Sequence, residues 1–160
     1  MDETGLARTL TVSMDFIPVD MEIEPRERLS NMGQLRVEVL GATDLPPRYP
    51  IDYSDPYCRF ELNEQEVFTT KRRAATQHPA WNESFKVAIR SRIAARLAAH
   101  VYYWATGEND NYLGSAIIDL ERLEPFKAQG YTLPLNGEGG PIRLQLQFRP
   151  EYITRTHLRQ

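Results

Sequence analysis

The sequence predicts an all-β fold: an antiparallel sandwich of eight strands, with one further strand ahead of it. Two observations carry that expectation. The first is period-two patterning. In residues 34–40, Leu35, Val37 and Val39 alternate with Arg36 and Glu38, and in residues 142–149, Ile142, Leu144, Leu146 and Phe148 alternate with Arg143, Gln145, Gln147 and Arg149. A strand sends successive side chains to opposite faces, so each segment has one face for a core and one for water. The second is punctuation. Turn-forming clusters at 46–50, 63–64, 77–79, 107–111 and 136–141 separate the apolar runs. Many short strands between frequent turns argue for a sandwich.

Taken in order, residues 9–17 form the leading strand, with Leu10, Val12, Met14 and Phe16 on one face. Residues 20–31 are charged and contain Pro25, which reads as a linker. Strands are then expected at 34–40, 57–62, 67–71, 84–89, 97–104, 113–119, 131–135 and 142–149. Short helices are expected only at 91–95 and 119–126. The chain thus divides into an N-terminal strand and linker (1–31), one domain (32–153) and a tail (154–160).

Composition limits the function. A chain of 160 residues has room for one domain with a core and some additional segment. The net charge of −3 does not suit a general polyanion binder. Nucleic acid is therefore not an expected partner, and contact with acidic lipid requires a local patch. The single cysteine, Cys58, excludes an internal disulfide and alternates onto the core face of its strand, as a small apolar residue rather than a nucleophile. No apolar run approaches the roughly 20 residues of a membrane-spanning helix, and no basic-then-apolar leader opens the chain. His78, His100 and His157 are scattered without metal-ligand spacing. Gly137, Gly139, Gly140 and Pro141 read as a hairpin connection rather than a phosphate cradle. A non-catalytic module without a cofactor is expected.

Residues that build the strands also carry a resemblance. The run from Gly33 to Pro46 is followed by Ser54, Asp55, Pro56 and Tyr57, then by His78, Pro79, Trp81 and Phe85, then Val101 and Tyr102, then Tyr112, Leu113 and Gly114. In this order and spacing they resemble a C2 domain over residues 33–150. More narrowly, Phe16 to Val19, Ser30 to Arg36 and Phe148 to Tyr152 look like a C2 module of fungal tricalbins, which are relatives of the extended synaptotagmins. The resemblance implies a C2-type sandwich from a larger protein that tethers the endoplasmic reticulum to the plasma membrane and carries a lipid-transfer domain, with this module on the cytosolic face. C2 domains occur in two circularly permuted forms, and residues 9–17 and 142–149 are candidates for the same sheet position. The type-two arrangement, with 142–149 in place, is favoured by the short Gly-rich connection before it. Residues 9–17 are then the last strand of a preceding module, an extra edge, or a spare strand that pairs with another copy.

The resemblance further implies five calcium-ligating aspartates on two loops. The corresponding positions are Tyr49, Asp55, Tyr103, Ala105 and Asn111, so one carboxylate survives. Calcium takes six to eight oxygen ligands, and Asp52, Glu108 and Asp110 nearby read as solvated loop acids, the alternative being a weak site rebuilt in a shifted geometry. No metal is expected at cellular calcium. A second device of the family is a basic patch for lipid headgroups. Tyr57, Arg59, Lys71 and Tyr102 fall at or beside its positions, Val67 and Thr69 stand where lysines are usual, and Arg72 and Arg73 add charge. A third is a set of loop aromatics and apolars: Tyr49, Ile51, Tyr53, Tyr103, Trp104 and Tyr112. These suit a membrane interface, a protein contact, or packing of the loops against each other. The expected function is a calcium-independent module binding anionic phospholipid. The alternative is a protein-interaction or spacer module that packs on neighbouring C2 modules or on itself.

Overall fold

The computed structural model describes residues 31–47, 54–106, 109–137 and 139–151. Strands form where the alternation places them. They are β1 (Gly33–Ala42), β2 (Asp55–Leu62), β3 (Gln65–Thr69), β4 (Ala80–Ile89), β5 (Leu97–Trp104), β6 (Asn111–Ile118), β7 (Gln129–Leu133), β8 (Asn136–Gly137) and β9 (Ile142–Pro150). The two-residue β8 is the addition to the eight expected. A four-stranded sheet runs β4-β1-β9-β7 and a five-stranded sheet runs β3-β2-β5-β6-β8. Every named strand pair is antiparallel.

Residues 142–149 occupy the contested sheet position. β9 lies between β1 and β7, with Phe148 opposite Leu35 and Pro150 opposite Gly33. The leading strand at 9–17 lies outside the described residues.

The core is the sum of the inward positions. Leu35, Val37 and Val39 of β1 and Leu144, Leu146 and Phe148 of β9 are fully buried and meet Cys58, Phe60, Leu97, Ala99 and Val101 of the other sheet. Trp81 ties the layers together. It is fully buried on β4, and its indole N–H donates to the Pro56 carbonyl on β2 at 3.1 Å. Burying so large an apolar body with its one polar group satisfied stabilises the sandwich by a few kcal/mol.

Three expectations are corrected. The third strand is Gln65–Thr69, not 67–71. Asn63 and Glu64 both take left-handed backbone (φ 52° and 69°), the geometry of a tight hairpin turn, which starts the strand early. Thr70 then turns inward, donates its N–H to the Cys58 carbonyl and accepts from the Cys58 N–H, ending the strand before Lys71. Neither helix forms. Residues 91–95 make one turn, closed by Ala95 N–H to the Ser91 carbonyl. Residues 119–126 make successive turns through Leu123 N–H to Leu120 and stop at Pro125, which bridges to Phe148 and lacks the N–H a helix would need.

Candidate functional site

The outer face of the five-stranded sheet collects most of the predicted headgroup residues. Tyr57, Arg59 and Glu61 point outward from β2 because Cys58 and Phe60 point inward; His100, Tyr102 and Trp104 do the same on β5. The register sets Tyr57 opposite Tyr102, Arg59 opposite His100 and Asp55 opposite Trp104. A ladder of contacts results. The Tyr57 and Tyr102 rings stack with centroids 5.2 Å apart. The Arg59 guanidinium lies 5.1 Å from the Tyr102 centroid. Tyr112 packs on Tyr102 at 5.2 Å, and its hydroxyl lies 3.2 Å from His100 Nδ1, whose other nitrogen is 3.4 Å from Glu61.

Beside this ladder is an open groove of about 320 Å³, lined by Tyr57, Arg59, Glu66, Thr69, Thr70, Arg72, Trp104 and Asp110. Its two cations are held differently. Arg72 stacks on Trp104, 3.4 Å from the ring centroid, with Nε 3.9 Å from Asp55. Arg59 Nε lies 3.6 Å from Glu66 but is buried without a hydrogen-bond partner. The Tyr57 hydroxyl donates to Asp110. Burial first, and then that carboxylate, push the Tyr57 hydroxyl well above the ordinary tyrosine range, against the opposing pull of Arg59. Burial raises Tyr102 as well, again opposed by Arg59.

Other predicted residues lie elsewhere. Arg73 faces the body of the fold: Nε and Nη2 donate to the carbonyls of Ala80 and Trp81 (3.2 and 2.6 Å), and Nη2 is 3.5 Å from Glu83. Lys71 is exposed but does not line the groove. Tyr103, expected among the contact aromatics, is 1% exposed and donates its hydroxyl to the Pro46 carbonyl at 2.6 Å, so it packs one loop onto the other. Tyr112 is half exposed. Tyr49, Ile51 and Tyr53 lie outside the described residues.

The described residues do not fit calcium. Asp55 accepts from the Ala75 N–H at 2.9 Å through Oδ1 and faces Arg72 through Oδ2. Asp110 accepts from the Ala105 N–H through one oxygen and from the Tyr57 hydroxyl of β2 through the other, so both are engaged within the protein. Tyr103, Ala105 and Asn111 supply no carboxylate, and among the described residues no three His, Cys, Asp or Glu side chains converge. Asp52 and Glu108 lie outside the described residues. Cys58 is fully enclosed, and burial pushes its thiol far up, away from the reactive thiolate.

Two roles were not visible in the sequence. Nothing in the run of Lys71, Arg72 and Arg73 distinguishes the arginine that binds carbonyls from the one that stacks on tryptophan. Asp110 reads as one acid of a polar loop, yet it joins the loop to β2.

Comparison with known proteins agrees with the fold. Residues 33–135 match the C2 domain family. Tricalbin-3 of Saccharomyces cerevisiae is 32% identical over 139 residues, which is 86% of this chain and 9% of that protein. An uncharacterized protein of Schizosaccharomyces pombe is 34% identical over 148 residues, or 92% of this chain and 12% of that protein. The chain therefore spans only about a tenth of these relatives' length. A C2 domain of plant Extended Synaptotagmin 1 superposes with a TM-score of 0.67 at 25% identity, covering 76% of this chain and 97% of that one.

Proposed function

Because the chain belongs to the C2 domain family, we propose that it is a calcium-independent, non-catalytic module that binds anionic phospholipid, within a protein that tethers the endoplasmic reticulum to the plasma membrane and transfers lipid. The domain spans residues 32–153 and works on the cytosolic face. The observation that carries this reading is Arg72, held between Trp104 and Asp55 at the mouth of the groove. A guanidinium there satisfies the one remaining carboxylate of the loop pair without an ion, and keeps donor edges for phosphate. Arg59, Tyr57 and Tyr102 line or flank the same groove, and Lys71 adds charge nearby. Each cation close to an anionic leaflet contributes about 1 kcal/mol, which falls away over a Debye length. The contact is accordingly weak and salt-sensitive. The similarity to Tricalbin-3 and to an extended synaptotagmin supports the cellular setting.

One observation favours the interaction or spacer reading instead: both groove arginines already face a carboxylate, Glu66 or Asp55. Flotation on phosphatidylserine-containing vesicles in chelator, at low salt, decides between them. Binding that calcium leaves unchanged, and that Arg59→Glu with Arg72→Glu abolishes, supports the lipid reading. Absence of binding supports the interaction module, and binding that requires calcium refutes calcium independence.

A further inference from the structure

The opposite face of the sandwich carries the larger excess of positive charge. On the four-stranded sheet, the outward positions of β1, β4 and β9 carry Arg36, Lys86, Arg143 and Arg149 against one acid, Glu38. Only Arg36 has a carboxylate within reach, Glu38 at 3.9 Å; among the described residues Lys86, Arg143 and Arg149 have none. Arg36 also stands directly across from Lys86 in the β1–β4 ladder. Like charges opposite one another weaken a strand pair; Glu38 offsets part of this, and an anion over the face would offset the rest.

A second observation meets the first at the sheet edge. Phe126 is 52% exposed and takes left-handed backbone, φ 65°, which is unfavourable for a bulky aromatic residue. Its N–H donates to the Phe148 carbonyl at 2.7 Å, and its carbonyl accepts from the Gln147 side chain at 3.0 Å. Both backbone groups are thus tied to β9, and the ring is left facing water 5.8 Å from the Arg149 guanidinium.

We propose that the outer face of the four-stranded sheet is a second docking surface, for an anionic phospholipid bilayer. Lipid phosphates take Arg36, Lys86, Arg143 and Arg149, and Phe126 enters the interface below them. A sheet face suits a planar partner, arginine suits phosphate, and an aromatic ring beside cations suits the boundary between headgroups and acyl chains better than it suits an acidic peptide. The inference rests on the preceding section only in taking lipid as the partner, because it uses none of the groove residues.

The test is flotation of the full chain on phosphatidylcholine vesicles containing phosphatidylserine, in chelator, with melting temperatures measured for every variant. Combined Arg36→Glu, Lys86→Glu and Arg149→Glu is expected to weaken binding on the order of 100-fold. Phe126→Asn is expected to weaken it roughly tenfold, since it removes the apolar ring; its melting temperature holds or rises, because asparagine accepts left-handed backbone. If the triple variant does not fold, Phe126→Asn and Arg149→Gln carry the test. Loss of binding confined to the groove variant overturns this proposal and leaves the groove reading standing; loss confined to the sheet variants does the reverse. A chain that does not float but is retained on polyglutamate in a salt-sensitive way assigns the face to an acidic protein and overturns the bilayer.

Discussion

Removing Trp104 tests whether the groove cation is held or only drawn near its neighbours. Arg72 has two partners: the Trp104 ring, 3.4 Å from the guanidinium carbon, and Asp55, 3.9 Å from Nε. At 3.9 Å the Coulomb attraction is about 1 kcal/mol in water. The Arg72 side chain is 44% exposed, so that water-like value is the relevant one, and screening lowers it to about 0.2–1 kcal/mol. The stack on Trp104 adds about 0.5–1 kcal/mol at such a site. Arg72→Ala, Trp104→Ala and the double variant form a cycle in which ring burial and side-chain entropy cancel to first order. The expected coupling is about 0.5–1 kcal/mol, read by urea unfolding as a departure from additivity of about 0.3–0.5 M in midpoint. The same variants in flotation should show Trp104→Ala losing most of the binding that Arg72→Ala loses. A coupling indistinguishable from zero refutes the reasoning: the Trp104 ring would then not hold Arg72, and only the weak pairing with Asp55 would fix that charge in the groove.

Other consequences are accessible to simple assays. Trp81→Phe removes the indole donor to Pro56 and leaves space at the centre of the core, which should cost about 1–3 kcal/mol by chemical denaturation. The thiol of Cys58 should stay unreactive to a disulfide reagent until the chain unfolds, because it is fully buried; rapid labelling in buffer would contradict that. Tyr57, Tyr102 and Tyr131 all have hydroxyls raised above their ordinary value by burial. A group held neutral by the fold contributes fully below its unfolded pKa, so stability should be level up to about pH 10 and fall above it. Tyr57→Phe should lessen the fall, as monitored by thermal unfolding at alkaline pH. Gly33→Ala should destabilise strongly, since a methyl group there would sit 2.1 Å from the Arg149 carbonyl oxygen.

The fold was largely legible because its information is local and repetitive. Leu35, Val37 and Val39, and Leu144, Leu146 and Phe148, declare strands by alternation alone, and the structure puts these two segments side by side in one sheet. At the third strand, a pair of hydrogen bonds outweighed the pattern. Thr70 turned inward onto Cys58 and left Lys71 outside the strand that period two assigned to it. The site was legible to the level of residue type and no further. The ladder of Tyr57, Arg59 and Tyr102 follows from register, which the pattern constrains. The division of labour between Arg72 and Arg73 depends on which way each long side chain turns once β4 is in place, and no spacing encodes that. Tyr103 was left open among three roles for a related reason: an aromatic residue in a loop-bordering segment reads the same whether it faces a membrane or plugs the gap beside Pro46.

The pairing of β1 with β9 has a mechanical consequence. Gly33 lies opposite Pro150, and the Glu151 N–H reaches the Met32 carbonyl at 2.7 Å, so the chain enters and leaves the domain at neighbouring points. Tension applied to the flanking polypeptide would therefore pull these two strands apart from one end. It would break their hydrogen bonds one after another, as a zipper opens, instead of loading them all at once in shear. A domain strung this way yields at low force and lengthens by more than a hundred residues of extended chain when it does.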